Sequence, residues 1–446
     1  MDTVFAPNLP RAGPSDLSGP SGDDDRLLQR TAPRHRLDRT SLIFTPVIKY
    51  KLRKPPRRGT IHNAVLWLET LEKLRQGEND MKPINMAEII LTEAEIEAAV
   101  RVLRSGALRQ GKECNAFEME FAERVRAKHA VTSANGTAAL HLSYMVFLKP
   151  GDEVLVPAFT FIATASMVTV TGGKPVFCDV NPQTYLIDLA DAESKITARS
   201  RAIAPVHLFG NACDVDAIKA FAAKHNLIIV WDAAQAHGAT YKGQDVGCFG
   251  NFVCYSFYPS KNMFVGEGGM TCTNDPEYDN KMRFLRTHGQ TGPYLHTMLG
   301  LNYRMTDMEA AIGREQLKRL DQMLVIRRRN AALLNEGLAD LPGIQLQEIT
   351  PNSHHAWHQY CIVVEPKLFG CDRDELARSL KEKGIATGVH YPRGLHQQPI
   401  FEELYGTSTL PHTEYLAQNI LALPVHHGLS EDQVKRIIEA VRASRP

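Results

Sequence analysis

A regular alternation in the middle of the chain restricts the fold more than any other pattern. Four short apolar runs, at 154–157, 174–178, 202–206 and 227–231, have strand length, and helical patterns such as 215–224 separate them. A strand that reads as an unbroken apolar run is covered on both faces, and intervening helices supply that cover. The alternation predicts an α/β fold with a mainly parallel sheet. A long helix is expected at 307–335, and beyond it the pattern changes. A strand at 359–364, a helix at 372–383, a strand at 387–390 and a closing helix at 430–444 predict a smaller α+β domain. At 446 residues the chain has room for both.

Folded sequence is expected from about Ile84. Thr92 and Glu95 form a capping box for a helix that stops at Ser105 and Gly106, and a second helix is expected at 115–128. Residues 1–80 differ in character: 1–39 are rich in Pro, Gly, Ser, Asp and Arg, and 49–58 are basic and broken by proline. A short amphipathic helix is expected at 62–75. This stretch reads as a poorly ordered extension in preference to a nucleic-acid or membrane arm, because a charge run is usually a solvated one. The expected division is therefore 1–80 as extension, 81–330 as large domain and 331–446 as small domain. The formal net charge of +1 singles out neither nucleic acid nor an anionic membrane as a partner. No apolar run approaches the roughly 20 residues of a membrane span. The eight cysteines form no Cys-x-x-Cys pair and no zinc-like cluster, so reduced thiols, no metal and a cytoplasmic location are expected.

Four motifs carry candidate chemistry. At 130–142 a short strand, a polar turn and a helix follow one another. Gly136 allows close approach of an anion to the backbone, Thr137 offers a hydroxyl, and the helix start offers N–H groups; the competing reading is an ordinary capped turn. After the run at 154–157 come Phe159 and Phe161. Either could stack on a flat ring, or both could be core. Asp232 closes the run at 227–231. At the carboxyl end of a parallel strand its side chain reaches the crevice where such sheets bind ligands. There it could keep a pyridine nitrogen protonated, or simply cap a helix. Gln235 and His237 are expected to reach the same crevice. Last, a strand at 251–257 carries Ser256 near its end, and Lys261 follows in a loop tightened by Pro259, Gly266, Gly268 and Gly269. A desolvated lysine has a lowered pKa and an amine free for Schiff-base formation and proton transfer; the competing reading is a surface lysine.

In this order the motifs, together with 103–111, 232–238, 256–269 and 300–307, resemble the DegT-type sugar aminotransferases from about Met81 to Arg445. The resemblance implies an aspartate-aminotransferase-like fold of type I and pyridoxal 5'-phosphate as cofactor. Lys261 would attach the cofactor, Asp232 would pair with its ring nitrogen, and Gln235 would lie near the ring hydroxyl. Phe161 would stack on the ring, while Gly136, Thr137 and Ser256 would hold the phosphate. Asn302 or Arg304 would reach a partner's phosphate across a homodimer interface. His390, Tyr391 and His396 would lie near the substrate. The implied reaction moves an amino group from glutamate to a nucleotide-linked keto sugar, by default a 4-keto-6-deoxyhexose, with ping-pong kinetics. A keto-cyclitol acceptor, a family dehydratase and a cofactor-binding regulator are the alternatives. The dehydratases replace the lysine, so Lys261 favours transamination.

Overall fold

The computed structural model describes residues 82–446. The expectations for 1–80, including the basic stretch and the helix at 62–75, lie outside the described residues. Helix α1, Glu93–Ser105, opens on the Thr92/Glu95 capping box and ends at Gly106, whose φ of 68° suits glycine. Helix α2 is Lys112–Val125, three residues ahead of the expected start.

Next come β1 (His129–Ser133), α3 (Gly136–Phe147), β2 (Glu153–Pro157), α4 (Ala163–Val170), β3 (Lys174–Cys178) and β4 (Ser200–Ile203). They are followed by α5 (Val215–His225), β5 (Ile228–Asp232), β6 (Phe252–Ser256), β7 (Gly269–Thr273), α6 (Pro276–Arg286) and α7 (Asp307–Leu338). The seven strands form one sheet in the order β1-β7-β6-β5-β4-β2-β3. β2 is parallel to β3 and β4, β4 to β5, and β5 to β6. β7 alone runs antiparallel to its neighbours, β1 and β6. Parallel neighbours need a crossover, usually a helix. The β6–β7 link carries no helix, so the chain returns antiparallel, and Lys261 sits on that link. The result is the expected mixed, mainly parallel sheet.

Alternate residues of each strand feed opposite cores. Val154 and Val156 pack with Leu140 and Tyr144 of α3, whereas Leu155 packs with Phe117 and Phe121 of α2. The strand expected at 202–206 ends at Ile203. Pro205 lacks the N–H a ladder needs, although its carbonyl still accepts from Asp232 N at 2.9 Å.

Past α7, strands β8 (Ile344–Leu346), β9 (Tyr360–Val364) and β10 (Ile420–Leu423) form an antiparallel sheet in that order. Helices α8 (Arg373–Glu382) and α9 (Glu431–Arg442) start on the caps Asp372 and Ser430. Leu334 and Leu338 from the end of α7 join their core with Ile362, Leu376 and Ile437. The strand expected at 387–390 is absent: only Gly388 bridges, to Ala422, and the chain then turns into the cavity described below. Residue 330, the expected boundary between the two domains, falls inside α7, and the described residues all lie in one compact unit. Among the described residues no helix is long and apolar enough to cross a membrane, and no cluster of side chains could hold a metal ion.

Candidate active site

The carboxyl ends of β1, β2, β5 and β6 converge on a cavity of about 740 Å³. That volume suits a small organic ligand. On one side, the β1–α3 turn brings Gly136 and Thr137 to the cavity. A Cβ on Gly136 would lie 2.6 Å from Ser256 Cβ, so glycine is required for the two strand ends to meet. The Ser256 hydroxyl is thereby held against the first turn of α3. Asn135 caps that helix by accepting from Ala138 N at 2.8 Å. The N–H groups before it, at the positive end of the helix dipole, suit an anion.

Asp232 closes β5 and is 5% exposed. Its Oδ2 accepts from Thr164 Oγ1 at 2.7 Å and its Oδ1 from Ala234 N at 3.0 Å. Burial pushes its pKa up; the two donors and the Lys261 ammonium oppose this without cancelling it. Lys261 faces the same cavity. Surrounding protein desolvates its amine and lowers the pKa to about 8, with the Asp232 charge pulling the other way. The side chain keeps some exposure along the cavity, yet its amine makes no hydrogen bond to another described residue. Its loop is fixed from both ends: Lys261 N donates to Tyr258 O at 2.8 Å, and Asn262 Nδ2 donates to Ala356 O at 2.7 Å.

Gln235 also lines the cavity, with Oε1 accepting from Phe209 N at 2.8 Å and Nε2 donating to Tyr391 OH at 3.0 Å. Phe161 lines it too, with its side chain 54% exposed. Phe159 is core. His390 and Tyr391 form part of the far wall. The other candidates lie elsewhere. His396 is buried away from the cavity, its Nε2 3.1 Å from Glu414 Oε1. Asn302 and Arg304 bond to each other at 3.0 Å on the exposed surface. His237, expected in the crevice, is instead buried against the rings of Tyr255 and Phe257, where desolvation lowers its pKa to about 3.

Sequence reasoning missed Thr164, His358 and the link between Gln235 and Tyr391. Thr164 follows Phe161 by three residues, but nothing local marks a threonine as the partner of an acid in another strand. His358 lines the cavity from the segment before β9, and no spacing pointed to it.

The model of the DegT/DnrJ/EryC1/StrS aminotransferase family matches residues 90–442. The chain belongs to this family, whose members depend on pyridoxal phosphate, and it is an aminotransferase. It is 42% identical over 347 residues to a pleiotropic regulatory protein of Geobacillus stearothermophilus, covering 76% of this chain and 91% of that one. Over 353 residues it is 40% identical to dTDP-3-amino-3,4,6-trideoxy-alpha-D-glucose transaminase of Streptomyces venezuelae, covering 78% and 92%. The crystal structure of S. venezuelae DesV in complex with a ketimine intermediate matches with a TM-score of 0.78 at 37% identity, covering 81% of this chain and 98% of that one.

Proposed function

We propose that the cavity holds pyridoxal phosphate and that the protein moves an amino group from glutamate to a keto sugar carried on a nucleoside diphosphate. The observation that carries this reading is one cavity containing Lys261, Asp232 and the glycine-bounded turn at Gly136. The residues fit the group: a close-approach turn for a phosphate, an acid for a ring nitrogen, and an unbonded amine for a carbonyl carbon. The printed activity of the S. venezuelae transaminase supports a nucleotide-linked sugar as acceptor.

When bound, the cofactor supplies a carbonyl carbon that takes up an amine and a ring that accepts the electron pair of a neighbouring C–H bond. Lys261 Nζ is the attachment point, and with a pKa of about 8 a usable fraction is neutral near pH 7. Displaced by an incoming amine, Nζ becomes the base for the donor's Cα proton and the acid that returns it. Asp232 holds a proton at the ring nitrogen through its charge. Gln235 and Phe161 fix the ring by edge and face, and Gly136, Thr137 and Ser256 take the phosphate. His390 and Tyr391 face the substrate, whereas His396 is held on Glu414 away from the cavity.

The reading includes a homodimer. Tyr294 and Leu299 are 96% and 94% exposed, close in the chain to Asn302 and Arg304. A second copy would cover these apolar side chains and receive Asn302 or Arg304 at its phosphate turn. Residues 81–330 then serve as the cofactor-binding domain and 331–446 as the smaller one, with α7 shared between them. Eight unpaired thiols suit a cytoplasmic enzyme. A keto-cyclitol acceptor is the second reading. A regulatory role, which the name of the G. stearothermophilus relative brings forward, would leave Lys261 and Asp232 without use.

The test is spectroscopic. Protein reconstituted with pyridoxal phosphate should show a visible band that glutamate bleaches. A panel of nucleotide-linked keto sugars and keto-cyclitols is then screened for return of the band. Recovery with a keto-cyclitol alone would replace the sugar-nucleotide reading, and a band indifferent to every amino donor would end it.

A further inference from the structure

The side chain that orients Asp232 is Thr164, 68 residues earlier in the chain. It lies in the first turn of α4 and is fully buried. Its Oγ1 is 2.7 Å from Asp232 Oδ2 and 3.2 Å from Phe161 O. A hydroxyl has one proton to give. The shorter contact, to an ionisable carboxylate, takes it, because charge-assisted hydrogen bonds are the stronger. With Ala234 N on Oδ1, the two donors fix the plane of the carboxylate.

Thr164 is itself held on two sides. Its N–H donates to Phe161 O at 3.3 Å, tying it to the aromatic at the cavity mouth. Its carbonyl accepts from Tyr144 OH at 3.0 Å. Tyr144 is fully buried on α3, the helix whose first turn contains Gly136 and Thr137. One residue thus joins the ring-facing aromatic, the acid and the helix that begins at the anion turn. Plain packing does not call for a hydroxyl here, since valine has nearly the same shape and avoids burying a polar group.

We propose that Thr164 is a positioning residue of the reaction: its hydroxyl keeps Asp232 ionised, aimed at the cofactor's ring nitrogen and in register with Phe161. This rests on the function proposed above. It acts through Asp232 and needs no contact with substrate. Loss of a hydrogen bond to a charged group is worth about 10- to 100-fold in an equilibrium or a rate.

The experiment compares wild-type holoenzyme with Thr164→Val, Thr164→Ala and Thr164→Ser. Val and Ala are expected to weaken pyridoxal phosphate binding about tenfold, measured by equilibrium dialysis, and to lower kcat about 10- to 100-fold. KM for glutamate should stay within about twofold, because the residue acts on the reacting ring and not on the donor. Ser, which restores the hydroxyl, should recover kcat to within about threefold. In an Asp232→Asn background, Thr164→Val should add little, since the two act as one unit. Wild-type dialysis and kcat in Thr164→Val, or a Ser variant as impaired as Val, would overturn the positioning role alone. If wild-type protein fails to bind pyridoxal phosphate, the proposed function and the positioning role fall together.

Discussion

Two charged clusters, one around Glu118 and one around Asp232, are built on opposite plans. Beside β1, Glu118 holds four hydrogen bonds. It accepts from Thr132 N and Oγ1 at 2.9 and 2.7 Å, and from Arg283 and Arg286 at 2.6 Å each. Burial pushes the Glu118 pKa up, but the Arg286 and Arg283 guanidiniums outweigh it and leave the carboxyl below its usual range. At the carboxyl ends of the strands, Asp232 accepts from two neutral donors, and the Lys261 amine has no hydrogen-bond partner among the described residues. There burial wins, raising the acid and lowering the amine. The first cluster ties α2, β1 and α6 together, with its carboxylate held by two guanidiniums and a threonine. The second is left unfinished, which costs stability and leaves valences for a ligand.

That contrast can be broken by experiment. Lys261→Ala should lower transamination by at least about 10³-fold. Borohydride reduction followed by mass spectrometry should then find no cofactor attached, and a normal rate would remove Lys261 from the chemistry. Asp232→Asn, loaded at saturating pyridoxal phosphate, should lose activity about 10²-fold or more; an unchanged kcat would show that its charge is idle. Glu118→Gln should do the reverse, leaving the buried Arg286 guanidinium without a carboxylate while Arg283 keeps Asp279, at a cost of about 3–5 kcal/mol. Urea unfolding should show that loss, while kcat per folded molecule stays near wild type. A variant as stable as wild type but inactive would collapse the distinction between the clusters.

The smallest effect concerns pH. Below about 8 Lys261 is mostly protonated, and only the neutral amine attacks a carbonyl. The rate at which apo-protein is reloaded with pyridoxal phosphate should therefore rise about tenfold per pH unit below that value and level off above it. A flat profile from pH 6 to 9 would mean the amine is not held as described. The same lowered pKa has a sign for stability. Between about 8 and the ordinary lysine pKa of 10.5 the unfolded lysine binds more protons than the folded one, so this group's contribution to stability rises with pH across that window and levels off above it.

Much of the site was legible because its parts are local signals. Asp232 was visible as an acid ending an apolar run, Gly136 as a turn between strand and helix, and Lys261 as a lysine in a glycine-bounded loop. Elsewhere local signals misled. The segment 387–390 read as a strand, but Gly388 makes one bridge, and His390 and Tyr391 line the cavity instead. His237 follows Asp232 closely, yet the turn after β5 sends it into the aromatic core. His396 lies close in the chain to His390 and is still walled off on Glu414.

The sequence by itself determined the order of elements, the parallel character of most of the sheet and the identity of the residues that could do chemistry, because periodicity, caps and turns are encoded over a few neighbouring positions. Only the tertiary structure decided which of them meet. Sheet order sets β2 next to β4 and β4 next to β5, and so brings Thr164 across to Asp232. It also decided which charged groups are saturated and which are left open. Saturation depends on every partner that packing delivers, and no local stretch of chain records it.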